Sequence, residues 1–66
     1  MIRLTRLNQR KFVLNAEQIK TIEQTPDTMI TLLNGNQMVV LEPMDEVVRR
    51  AIEYLRSIRT FAHLDV

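Results

Sequence analysis

The chain has 66 residues, no cysteine, one histidine and a formal net charge of +1. That length allows one domain with a thin core, because a chain this short buries only about 60% of the surface it exposes when unfolded. The composition excludes disulfides, thiolate metal sites and histidine clusters, so a partner surface is the remaining way to add stability.

From the start, Ile2 to Leu7 (IRLTRL) suits a strand, and Asn8 to Lys11 (NQRK) a turn in which Asn8 can take a left-handed conformation. Phe12 to Asn15 then reads as a second strand, closing an N-terminal hairpin. Ala16 to Gln18 reads as a short turn or a single helical turn capped by Asn15. Ile19 to Gln24 (IKTIEQ) reads as a third strand. Its two isoleucines are three apart, which breaks strict alternation and predicts a bulge or a helical start. Thr25-Pro26-Asp27-Thr28 is a turn, with Pro26 presetting φ at the second position and Asp27 able to bond back to the main chain.

Met29 to Val40 is a second hairpin around Asn34-Gly35, a pair that favours a two-residue type I′ turn. Such a turn sets Leu33 opposite Asn36, Ile30 opposite Val39 and Met29 opposite Val40. One face then carries Ile30, Leu32, Val39 and Leu41, and the other Met29, Leu33, Met38 and Val40. A sheet with one wet side should alternate apolar and polar residues, but here both sides are apolar. The second side therefore calls for a curled-over sheet, a second subunit or another protein.

Glu42-Pro43 changes the period. From Met44 to about Arg59 the apolar residues Met44, Val47, Val48, Ala51, Ile52, Leu55 and Ile58 fall at helical spacing. Pro43 suits the first helical position, and Glu42, Asp45 and Glu46 sit where the helix dipole favours acids. Asp45–Arg49 and Glu46–Arg50 are candidate i,i+4 pairs. Residues 60–66 read as a frayed tail. The whole is one domain, residues 1–66, of the α+β class: a small antiparallel sheet of four to five short strands, in two hairpins, followed by one C-terminal amphipathic helix.

No catalytic constellation emerges. Ser57, His63 and Asp65 crowd near the end by coincidence of composition, and the acids at the helix start are explained by capping. The expectation is a protein without enzymatic activity, cofactor or metal. Single Gly35 lies in a hairpin turn, so there is no phosphate loop. No apolar run reaches the length of a membrane span, and Met1-Ile2-Arg3 runs into alternation without an apolar leader, which predicts a cytoplasmic protein without membrane insertion. Arg3, Arg6, Arg10 and Lys11 cluster on the first hairpin and are the candidate partner-binding residues. Near-neutral net charge and few aromatics argue against nucleic acid as their target. Asn8, Pro26, Asp27, Asn34 and Gly35 are read as structural turn residues.

Taken in order, LTRLN, F.LN, I..IE.TPDT.ITL.NG, VV.E and EVV...IEY resemble the FlbD/SwrD family of small flagellar and swarming-motility proteins, from Met1 to about Arg59. The family pattern has glycine after the first turn asparagine, where this chain has Gln9, and that departure disfavours a tight two-residue first turn. The resemblance implies a cytoplasmic protein that supports flagellar rotation and swarming by binding a motor or stator component at the inner face of the membrane. Self-association is expected from the broad apolar arc of the helix together with the second hairpin.

Overall fold

The computed structural model describes the backbone of residues 1–64 and the side chains of residues 1–58. The elements are β1 (Ile2–Thr5), β2 (Lys11–Leu14), a 3-10 turn Ala16–Gln18, β3 (Ile19–Gln24), β4 (Thr28–Leu32), β5 (Gln37–Val40) and α1 (Met44–Leu64). The fold is α+β, as the patterning predicts. The strands divide into two antiparallel sheets, β1-β2 and β3-β4-β5.

The two sheets meet where β1 ends. Arg6 forms an isolated bridge with Val40, and the Leu41 N–H donates to the Thr5 carbonyl (2.9 Å). Strand geometry explains how β1 serves two partners. Arg6 uses its N–H and carbonyl on the β2 side, bonding Arg10 and Gln9, so the neighbouring Thr5 presents its own groups on the opposite side.

Both hairpins close in the same way. Arg6 N–H donates to the Arg10 carbonyl (2.8 Å) and Gln9 N–H to the Arg6 carbonyl (2.9 Å); Leu32, Asn36 and Gly35 repeat the pattern at 2.8 and 2.9 Å. Asn8 Oδ1 accepts from Arg10 N–H (3.0 Å), and Asn34 Oδ1 from Asn36 N–H (2.9 Å). Each is a three-residue loop whose last residue is left-handed, Gln9 at φ 74° and Gly35 at φ 90°. This corrects the expected type I′ turn at Asn34-Gly35, and it moves the left-handed position of the first turn from Asn8 to Gln9. The asparagines act through their side chains, as backbone-bonding Asx turns.

The longer loop slips the second hairpin by one residue. Ile30 pairs with Met38, Met29 with Val39 and Thr28 with Val40. A slip of one moves the partner strand's side chains to the other face. The core face is thus Thr28, Ile30, Leu32, Met38 and Val40, with Ile30 and Val40 fully buried. Met29 and Val39 share the outer face with Thr31 and the exposed Gln37. The apparent double-sided hydrophobicity arises from the wrong register, and the true outer face is mixed.

In β3, pairing jumps from Ile19↔Leu32 to Thr21↔Thr31, so Lys20 is the extra residue of a bulge. The bulge turns both Ile19 and Ile22 toward the core. Asn15 caps the 3-10 turn by accepting from Glu17 N–H (3.0 Å), as expected. The loop at Pro26 differs from a standard β-turn. The Thr25–Pro26 peptide is cis, and the Thr25 N–H meets the Asp27 carbonyl at 3.3 Å.

Pro43 lies just outside α1 rather than in its first turn, and its carbonyl accepts from Glu46 and Val47 (3.0 and 3.1 Å). The next orphan donor, Met44 N–H, is met by Gln24 Oε1 of β3 at 2.8 Å, a cap from another element. Val47 is fully buried, and Ala51 and Tyr54 join it against the core of Ile2, Leu4, Leu14, Ala16, Ile30 and Val40. The helical backbone continues to Leu64, beyond Arg59 where the apolar periodicity ends. Asp65, Val66 and the side chains from position 59 lie outside the described residues, so the frayed tail expected over 60–66 is not described at side-chain level. Among the described residues no helix is long and apolar enough to cross a membrane.

Candidate functional site

The chain leaves β5 at Leu41 and turns into α1 at Met44, which carries Glu42 across the open side of β1. Glu42 Oε1 accepts from Thr5 N–H and Oε2 from the Thr5 hydroxyl, both at 2.8 Å. Burial alone would raise this carboxyl. The two Thr5 donors, its own backbone N–H and the Arg50 charge outweigh that, and hold it below the ordinary carboxylate range. The expected dipole role of Glu42 at the helix start is therefore replaced by a clamp on β1.

Arg50 extends the clamp from the helix. Its Nε donates to Glu46 Oε2 (2.7 Å), one terminal nitrogen donates to the Arg3 carbonyl, and Glu42 Oε2 lies 3.6 Å away. The open edge of β1 is thus covered by Leu41, Glu42 and Arg50, a defence against unwanted strand pairing. Glu46 also takes two bonds from Arg49, which reaches on to Glu53 (2.7 Å). The bonds from Arg49 first, then from Arg50, push the Glu46 carboxyl down to about 2. Of the two expected helix pairs, Glu46–Arg50 forms. Arg49 bonds Glu46 and Glu53 in place of Asp45.

Two shallow cavities share Arg3 and Arg50. One, of about 300 Å³, is lined by Arg3, Leu4, Thr5, Lys11, Glu42 and Arg50. The other, of about 430 Å³, runs along α1 past Met1, Glu53, Tyr54 and Ser57. Three cations line the first cavity, but Arg50 is already engaged by Glu46 and the Arg3 carbonyl, as Glu42 is by Thr5, so Arg3 and Lys11 are the charges the cavity offers. What this trough offers is charge recognition of carboxylates through guanidinium and ammonium donors.

The four hairpin bases divide. Arg3 pairs across from Val13 and Thr5 from Lys11, so Arg3, Lys11 and Val13 share the outer face, and Val13 is 57% exposed. Arg6 lies on the opposite face, where its guanidinium sits 4.2 Å from the centroid of the Phe12 ring. Arg10 is exposed in the turn. Asn8, Pro26, Asp27, Asn34 and Gly35 all lie in exposed loops. Sequence reasoning missed Arg50 as a companion of Arg3 and Lys11, because the contact spans 47 positions of the chain.

A family model described as "FlbD: Flagellar and Swarming motility proteins" matches residues 1–59. No curated protein and no solved structure matches the chain.

Proposed function

The chain belongs to the FlbD family of flagellar and swarming-motility proteins, and from that membership we propose that it supports flagellar rotation as a non-enzymatic adaptor binding an acidic segment of a motor or stator component. The observation that carries the reading is the convergence of Arg3 and Lys11 on one trough beside the exposed Val13, with Arg50 holding the Arg3 main chain at its edge. Cations around an apolar contact suit a carboxylate-bearing peptide, since charge steers the encounter and a small apolar anchor adds residence time. The reading places the protein in the cytoplasm, at the inner face of the membrane that holds the motor.

The alternative is a small nucleic-acid-binding regulator of motility genes. The net charge of +1 is weak for a phosphate binder. The Phe12 face that could stack a base carries Arg6.

Deletion of the gene tests the reading. Filaments should still assemble while swarming, which works under load, is weakened. Loss of filaments would point to assembly or expression and end the motor-support role. A salt titration of the purified protein against mixed RNA and DNA tests the alternative: binding that weakens steeply with salt would favour it over the adaptor.

A further inference from the structure

α1 presents one broad apolar arc, and the core covers only one side of it. Val47, Ala51 and Tyr54 face inward. Met44, Val48, Ile52 and Ile58 are all exposed, with Leu55 half-buried among them. At about 100° per residue these five side chains fall within one sector of roughly 120°. Their row follows α1 away from the sheets. The molecule measures 42 × 22 × 18 Å, and its radius of gyration of 12.7 Å exceeds the roughly 11 Å of a compact chain of this length. The helix of 21 residues, about 32 Å long, accounts for that elongation.

From this face we infer that the protein forms a twofold dimer by packing α1 antiparallel against α1 of a second copy, a surface separate from the hairpin trough. Two observations choose the occupant and its direction. The first is charge. Asp45 and Arg56 lie eleven residues apart, close to three turns, so both border the same flank of the stripe, at opposite ends. Like flanks meet in an antiparallel pair, which sets Asp45 of each copy against Arg56 of the other, twice. The second is the opposite flank, where Val47 and Tyr54 are already committed to the core. A parallel pair would bring the Asp45–Arg56 flank of one copy onto this occupied side of the other. The antiparallel pair also rests the projecting half of each helix on the stripe beside the other copy's sheets. A twofold interface is self-complementary in this way by construction. Five side chains per copy fall short of the roughly 800 Å² per partner of a standard-size interface, which makes this a weak, transient association.

Sedimentation of the full chain across a concentration series should show a monomer–dimer equilibrium. Ile52→Glu, at an exposed position near the twofold axis, should weaken it at least tenfold with helix content unchanged. Asp45→Arg should weaken it as well, and Asp45→Arg combined with Arg56→Asp should restore it. The natural chain has no cysteine, so single introduced thiols report direction. Met44→Cys mixed with Ile58→Cys should oxidise to a mixed dimer. Met44→Cys alone should not, because the two sulfurs would sit on the order of 20 Å apart. A monomer throughout the series, a dimer indifferent to Ile52→Glu, or ready crosslinking of Met44→Cys alone would each overturn the antiparallel dimer. The last would indicate a parallel pair, and a stripe that binds vesicles or a foreign helix while the chain stays monomeric would assign the face to that occupant.

Discussion

Glu42 holds Thr5 through both carboxylate oxygens, one on the main-chain N–H and one on the hydroxyl, each at 2.8 Å. The two residues lie 37 positions apart, and their bond joins the connector before α1 to the edge of the first strand. It fixes the N-terminal hairpin relative to the second sheet at the place where the Arg6–Val40 bridge ends. Removing it should therefore loosen the whole hairpin. Glu42→Ala leaves a half-buried N–H and hydroxyl without partners and should cost about 1–3 kcal/mol in urea unfolding. Thr5→Val, which removes only the hydroxyl, should cost less. Equal losses in the two variants would show that the main-chain bond contributes nothing.

Acid should weaken the fold through the same region. Glu42 and Glu46 both have carboxyls lowered by folding, Glu46 to about 2 from an ordinary 4.5. A carboxyl lowered in the folded state adds stability above its unfolded value, and that stability fades as pH falls toward the folded one. The urea midpoint should thus decline from about pH 4.5 toward pH 2. Glu46 is on the surface, and salt should shrink its share. Glu46→Gln should flatten part of the acid limb, and an unchanged slope in that variant would remove Glu46 from the account.

The matched hairpin loops allow a reciprocal test. Gln9 and Gly35 occupy equivalent left-handed positions, at φ 74° and 90°. A side chain there carries about 1–2 kcal/mol of strain, partly offset because glycine makes the unfolded chain more flexible. Gln9→Gly should then stabilise the protein by about 0.5–1 kcal/mol, and Gly35→Gln should destabilise it by a similar amount. A Cβ at Gly35 meets no atom within 4 Å, so backbone strain is the whole effect. Thermal melts that move in the same direction for both variants would contradict the shared loop geometry.

The order of elements was legible because each has its own period: alternation through the strands, then helical spacing from Met44. The bulge near Ile19 was legible too, since two core isoleucines three apart cannot share a regular strand face. The register of the second hairpin was not. Asn34-Gly35 suits both a two-residue turn and a three-residue loop ending in a left-handed glycine, and the choice lies with the core, which takes Thr28, Ile30, Met38 and Val40 together. Glu42 was misread because its partner is remote in sequence, whereas a carboxylate beside a helix start has a ready local explanation. The division of the basic residues had a signal. Arg3 and Arg6 stand at odd and even positions of one extended run, so they project to opposite faces.

That division sharpens the functional test. Reversing Arg6 also removes its contact with Phe12, worth about 0.5–1 kcal/mol at an exposed site, so a loss of swarming in an Arg6→Glu strain would mix recognition with stability. Arg3 and Lys11 are cleaner. Their side chains are exposed on the outer face, and the clamp on β1 uses the main chain of Arg3 rather than its guanidinium. Arg3→Glu with Lys11→Glu should leave the melting temperature nearly unchanged, since exposed charges rarely move stability by more than about 0.5 kcal/mol. It should reduce swarming on soft agar while filaments and protein level stay normal. Arg10→Glu, in the turn away from the trough, should have a smaller effect. A folded Arg3→Glu, Lys11→Glu double variant that swarms normally would rule out the trough as the partner surface, and a defect confined to Arg10→Glu would shift recognition to the hairpin tip.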